Sequence, residues 1–72
     1  MEREYKDWRI AIRANKTPHA EGWRVYANLS YWSGGSVRTK QLYFTDGRTF
    51  PTETAAEAAG VQMAKAWIDH EG

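Results

Sequence analysis

Arginines, aromatic residues and an asparagine recur at even spacings in the first half of this chain. Arg9 and Arg13 are four residues apart, and Arg24, Tyr26 and Asn28 are two apart. On a β-strand, an even spacing places side chains on one face. A guanidinium binds phosphate or guanine, and an aromatic ring stacks on a base. The pattern therefore favours a strand face that binds nucleic acid.

Two stretches of alternating apolar and polar residues are the strands that would present these side chains. The first runs from Trp8 to Ala14 and the second from Trp23 to Trp32. Residues 33–36, Ser-Gly-Gly-Ser, form a hairpin turn, because glycine tolerates a positive φ. A third strand from about Val37 to Phe44 has an unclear phase, so a bulge remains an alternative.

The predicted interface follows from this alternation. Its predicted members are Arg9, Arg13, Arg24, Tyr26, Asn28, Trp32, Arg38 and Lys40. The alternative phase of the third strand replaces the last two with Thr39 and Gln41. The opposing interpretation is a solvated sheet face, on which cross-strand pairs of arginine and aromatic residues stabilise the sheet itself.

A C-terminal helix follows Pro51. Thr54 and Glu57 fit a capping box, and the apolar periodicity continues to about His70. The stripe predicted to face the sheet contains Ala56, Ala59, Gly60, Met63 and Trp67. Trp23 should lie opposite Met63 and Trp67. A further apolar edge of Val61, Ala64 and Ile68 has two interpretations: it packs near Tyr5, or it pairs with a second chain in a homodimer.

The predicted fold class is therefore α+β, a three-stranded antiparallel sheet packed on one C-terminal helix in the order β-β-β-α. A chain of 72 residues forms a single domain, with the sheet over about 7–50 and the helix over about 55–70. It contains no cysteine, so no disulfide supports the thin core. Its ten aromatic residues must supply much of the buried area.

The net charge of +1 conceals an asymmetry. Residues 1–52 carry +4, whereas residues 53–72 carry −3, so the sheet region is the basic part of the molecule. No apolar run approaches the roughly 20 residues needed to span a membrane, and the first residues are charged. We therefore expect a cytoplasmic protein that does not bind membranes.

The chemistry of catalysis and metal binding has little basis in this sequence. His19 and His70 are the only histidines, and they do not have the spacing of metal ligands. The three serines have no histidine and acid partners in a recognisable arrangement. We therefore expect no enzymatic activity, no cofactor, no metal and no small-molecule substrate. The expected partners are DNA or RNA, or else a protein, which includes a second copy of the chain.

Two resemblances rest on the stretch from Trp23-Arg24-Val25 to Arg38-Thr39-Lys40, together with Phe50 and the helix ending Ala66-Trp67-Ile68-Asp69. The layout resembles the arm-binding domains of phage-type integrases and the related plant APETALA-type domain. It is also similar to a double-stranded-RNA-binding domain that lacks its first helix. These resemblances imply an open sheet that contacts nucleic acid. Nearly the whole chain also resembles a group of short uncharacterised bacterial proteins, which implies no activity.

Overall fold

Four antiparallel strands and one C-terminal helix build the fold. The computed structural model describes residues 1–16 and 22–71. The elements are β1 (Glu2–Tyr5), β2 (Trp8–Lys16), β3 (Trp23–Ser33), β4 (Ser36–Tyr43) and α1 (Glu53–Glu71). The strands lie in the order β1-β2-β3-β4, so each pairs with its neighbours in sequence. The α+β class and the C-terminal helix are confirmed, but the sheet has four strands rather than the predicted three.

The additional strand, β1, pairs with the start of β2 through a two-residue turn. Lys6 and Asp7 form this turn with φ values of 49° and 69°. Tyr5 pairs with Trp8, and Glu4 pairs with Arg9. Both turn residues have the left-handed conformation that a two-residue hairpin of type I′ requires. The predicted start of the sheet near residue 7 was therefore too late.

The two central strands carry most of the core on one face. Their buried residues follow the predicted alternation and comprise Trp8, Ile10, Ile12, Val25, Ala27 and Leu29. Both strands are longer than predicted: β2 continues past Ala14 to Lys16, and β3 ends at Ser33 rather than Trp32. Residues 17–21, which include His19, lie outside the described residues.

The β3–β4 hairpin forms where the sequence predicts it. Gly34 and Gly35 have φ values of 55° and 82°, and Ser33 pairs with Ser36 across the turn. The register of β4 is regular from Ser36 to Tyr43, with no bulge. Beyond β4, Phe50 returns to β3 and exchanges two backbone hydrogen bonds with Trp23, of 2.8 and 2.9 Å.

The helix begins earlier than the capping-box pattern predicts. The Thr52 hydroxyl accepts a hydrogen bond of 3.0 Å from the backbone N–H of Ala55. The carbonyl of Thr52 accepts another of 3.0 Å from Ala56. Thr52 is therefore the N-cap residue, and the assignment of this role to Thr54 was wrong. No helix among the described residues is long and apolar enough to cross a membrane.

The face of α1 that contacts the sheet is rotated from the predicted stripe. Its buried residues are Ala56, Gly60, Val61, Ala64 and Ile68. Met63 and Trp67 are only half-buried at the side of the helix, so their predicted burial beneath it was wrong. Small residues on this face bring α1 close to β2 and β3. A Cβ added at Gly60 would lie only 2.7 Å from Cγ2 of Val25.

Trp67 instead packs against the side of the core. Its ring meets that of Trp8 edge-on, with 5.3 Å between the centroids. Trp8 pairs with Tyr31 at one end of β2, whereas Trp23 pairs with Lys16 at the other end. The prediction that Trp23 lies opposite Trp67 was therefore also wrong.

Candidate nucleic-acid interface

The face of the sheet that α1 does not cover, here called the open face, carries the candidate site. Because side chains alternate along a strand, the residues between the buried core positions of β2 and β3 point to this face. The register then aligns them in rows across the strands. Arg13 pairs with Tyr26, and Tyr26 pairs with Tyr43 of β4. Arg24 lies two residues before Tyr26 on β3 and pairs with Asn15.

Six of the eight predicted residues share the open face: Arg9, Arg13, Arg24, Tyr26, Asn28 and Trp32. Arg38 and Lys40 do not join them. They pair with Tyr31 and Leu29, which belong to the core face, so they lie on the helix side of β4. Their place on the open face is taken by Thr39 and Gln41, as in the alternative phase.

The phase of β4 was ambiguous because α1 leaves this edge strand largely uncovered. Leu42 is half-buried opposite Ala27, whereas Val37 is 48% exposed on the open face. An apolar residue therefore lies on each face, and alternation alone does not identify the inner one. On the helix side, the Arg38 guanidinium lies 5.8 Å from the centroid of the Trp8 ring. That contact gives Arg38 a role in packing.

One end of the open face is basic and aromatic. Arg24, Tyr26, Tyr43 and Arg48 line a small cavity of about 60 Å³. Tyr43 is 56% exposed, which leaves its ring available for stacking. We define the basic-aromatic end of the open face as Arg13, Arg24, Tyr26 and Tyr43, with Arg48 at its border. The sequence analysis missed Tyr43 and Arg48, although the parity of Leu42 places Tyr43 on the open face.

Arg48, at the border of this end, is held by a carboxylate. Its guanidinium donates to the Asp46 carboxylate at 3.0 and 3.3 Å, and its backbone N–H donates at 3.0 Å. The backbone hydrogen bond from Arg48 is the largest cause that lowers the pKa of Asp46. The guanidinium also lies 5.0 Å from the centroid of the Phe44 ring. Asp46 therefore holds the Arg48 guanidinium in place and partly neutralises its charge.

The other end of the open face is acidic because of β1. Glu4 lies directly opposite Arg9, and Glu2 lies opposite Ala11. These two carboxylates oppose the positive potential that Arg9 would otherwise contribute. We call the surface of Glu2 and Glu4 the acidic rim. Sequence analysis did not predict it, because β1 itself was not predicted.

A shallow depression of about 400 Å³ lies between the two ends. Hydroxyl and amide side chains from β3 and β4 line much of it, with Glu2 and Arg9 on the β1 side. The pairs across the strands are Ser30 with Thr39 and Asn28 with Gln41. The open face therefore combines exposed cations, aromatic rings and hydrogen-bonding groups within one surface.

A second group of titratable residues lies at the C-terminal end of α1. At the helix end, Asp69 accepts hydrogen bonds from Lys6 at 2.6 Å and from Tyr5 at 3.0 Å. The bond from Lys6 is the largest cause that lowers the pKa of Asp69. His70 is exposed on the last turn of α1. Among residues 1–16 and 22–71, no three histidine or acidic side chains group as a metal site would require.

The open face is defined by the register of four strands and by the uneven cover of one helix. No protein-family model, curated protein or solved structure matches this chain.

Proposed function

We propose that this chain is a non-enzymatic module that binds single-stranded nucleic acid, DNA or RNA, on its open face. The observation that carries the proposal is the row of Arg13, Tyr26 and Tyr43 across three adjacent strands, with Arg24 beside it. Exposed rings on a sheet offer stacking surfaces to unpaired bases, and arginines beside them hold the phosphates. The basic-aromatic end is thus the proposed contact.

A single strand fits this surface better than a duplex does. Base stacking needs rings that are exposed, and Tyr43 and Trp32 are 56% and 70% exposed. Both rings belong to the β3–β4 side of the open face. In a duplex the faces of the bases are covered by their neighbours, so these rings could not stack on them. The few cations at the basic-aromatic end imply modest affinity that falls as salt rises.

The test compares two double variants that lose the same charge from opposite faces. Arg13→Ala with Arg24→Ala removes two exposed cations from the open face, and Arg38→Ala with Lys40→Ala removes two from the helix side. Fluorescence anisotropy with a labelled single strand, at several salt concentrations, measures binding. We expect the first variant to bind at least about tenfold more weakly, since it loses two phosphate contacts. Its salt slope should fall by about 1.4, at 0.7 per phosphate contact of a single strand.

The control pair should change binding much less, because its cations lie on the far side of the sheet. Circular dichroism of all variants checks that the fold is retained. If the wild-type chain binds no DNA or RNA at low salt, the proposed function is wrong. If the two double variants weaken binding equally, net charge rather than the open face governs the interaction.

A second candidate is a protein-interaction module that uses the edge of β4. This strand ends the sheet, and its eight residues pair on one side only within the described structure. An extended segment of a partner adds to such an edge through backbone hydrogen bonds. The apolar helix edge of Val61, Ala64 and Ile68 is buried in the core, so self-association is proposed at the sheet edge. Sedimentation at micromolar concentration tests whether two copies of the chain associate through this edge. Binding through backbone hydrogen bonds or apolar contacts should depend on salt much less than nucleic-acid binding does.

A further inference from the structure

The depression on the open face has the composition of a site that reads one nucleobase. Its floor includes Ala11 of β2, whose methyl group is smaller than the side chains around it. Around that floor stand groups that donate and accept hydrogen bonds: Glu2, Arg9, Asn28, Ser30, Thr39 and Gln41. A pocket that is shallow, open and polar suits a planar heterocycle with hydrogen-bonding edges.

Two amides face each other across this depression. Asn28 and Gln41 are directly paired on β3 and β4, which brings their Cβ atoms to about 5 Å. Both side chains are exposed, and neither takes part in a side-chain hydrogen bond among the described residues. An asparagine or glutamine amide binds adenine in a bidentate manner, accepting from N6 and donating to N7.

The acidic rim determines which part of a nucleotide enters. Glu2 belongs to the lining, and Glu4 lies directly opposite Arg9. These carboxylates repel phosphate, so the depression accepts the neutral base and leaves the backbone outside. A carboxylate such as that of Glu2 can accept a hydrogen bond from an exocyclic amino group, which adenine has and thymine lacks.

The depression is also close to the proposed phosphate contacts. Asn28 and Tyr26 are two residues apart on β3, which corresponds to about 7 Å along the strand. A strand whose backbone contacts Arg13 and Arg24 can therefore place a neighbouring base over Asn28 and Gln41. The acidic rim and the basic-aromatic end together give the bound strand a direction across the sheet.

We infer that the depression reads adenine in a single strand, through the paired amides of Asn28 and Gln41. This inference rests on the proposed function, because it needs a nucleic-acid strand on the open face. It adds a sequence preference to a surface whose arginines and rings would otherwise bind any single strand.

The experiment compares short thymidine oligonucleotides that carry one central adenine, guanine or cytosine with the all-thymidine strand. We expect the adenine strand to bind the wild-type chain about tenfold more tightly than the all-thymidine strand. Gln41→Met removes the amide and keeps the length of the side chain. It should abolish most of the adenine preference and leave all-thymidine binding within about twofold, since phosphate contacts carry that binding. Gln62→Met, the same change on the exposed surface of α1, should alter neither value.

The outcomes separate this inference from the proposed function. Equal binding of all four strands overturns the adenine site and leaves the proposed function standing. A preference for guanine overturns it as well and transfers the reading to Arg9. An adenine preference that survives both Gln41→Met and Asn28→Leu also refutes the assignment. Failure to bind any strand is the result that refutes the proposed function itself.

Discussion

Replacing Gly60 with alanine tests how closely the helix approaches the sheet. In an unobstructed helix this change stabilises the protein by about 1 kcal/mol, because alanine loses less backbone freedom on folding. At Gly60 the new Cβ would lie 2.7 Å from Cγ2 of Val25 and 3.3 Å from two carbons of Ile12. The Val25 methyl belongs to a β-branched side chain with few rotamers, so it does not swing aside.

The magnitude follows from these two opposing effects. Overpacking a core costs about 1–3 kcal/mol, whereas the helix preference returns about 1 kcal/mol. We therefore expect Gly60→Ala to lower the free energy of unfolding by about 1 kcal/mol. Urea denaturation followed by tryptophan fluorescence measures it.

In the Val25→Ala variant, Gly60→Ala should have the opposite effect on stability. Val25→Ala removes the obstructing methyl, so Gly60→Ala made in that variant should stabilise it by about 1 kcal/mol. Ala58→Gly, at an exposed helix position, provides the scale and should cost about 1 kcal/mol. The reasoning is refuted if Gly60→Ala stabilises the wild-type protein, or if its effect is the same in both backgrounds.

Three further changes test the helix face, its cap and its link to β1. Ile68→Ala should cost about 2–5 kcal/mol in urea denaturation, because Ile68 is 4% exposed; a cost below about 1 kcal/mol would contradict its core position. Thr52→Ala should cost about 1 kcal/mol and Thr54→Ala much less, and the reverse order would restore the predicted cap. The lowered pKa of Asp69 means that its pairing with Lys6 stabilises the fold above the unfolded-state pKa of about 3.9 and is lost as the pH falls through the folded-state value. Between about pH 5 and 2, the midpoint of thermal unfolding should therefore fall more for the wild type than for Asp69→Asn. An equal fall in both proteins would contradict the stabilising role of the Asp69–Lys6 pair.

The two central strands and the glycine hairpin are the parts of the fold that sequence patterns predict well. Their alternation is clear because one face is covered by α1 and the other is open. Gly34 and Gly35 identify the turn because both adopt the positive φ that glycine tolerates. Six of the eight candidate residues lie on the open face for the same reason: they belong to β2 and β3.

Other parts could not be predicted because the local signal is weak or ambiguous. In β1, Glu2, Arg3 and Glu4 give no apolar alternation, and its turn contains no glycine. On α1 the apolar arc is wider than the buried face, so the periodicity fits more than one rotation. The choice depends on the distance between helix and sheet, which the small residues set only once the layers pack. Trp67 lies at the side of the core, where its ring packs edge-on against Trp8.

The order of the strands has a consequence for how the chain folds. Every strand pairs with its neighbours in sequence, and both the β1–β2 and the β3–β4 turns contain two residues. Each hairpin can therefore form locally, on the scale of about 1–10 μs for an isolated hairpin. The slower step is the joining of β2 to β3, because it connects the two hairpins and creates the surface on which α1 docks. Substitutions at the β2–β3 seam should accordingly slow folding, whereas those at the tip of the β3–β4 hairpin should mainly speed unfolding.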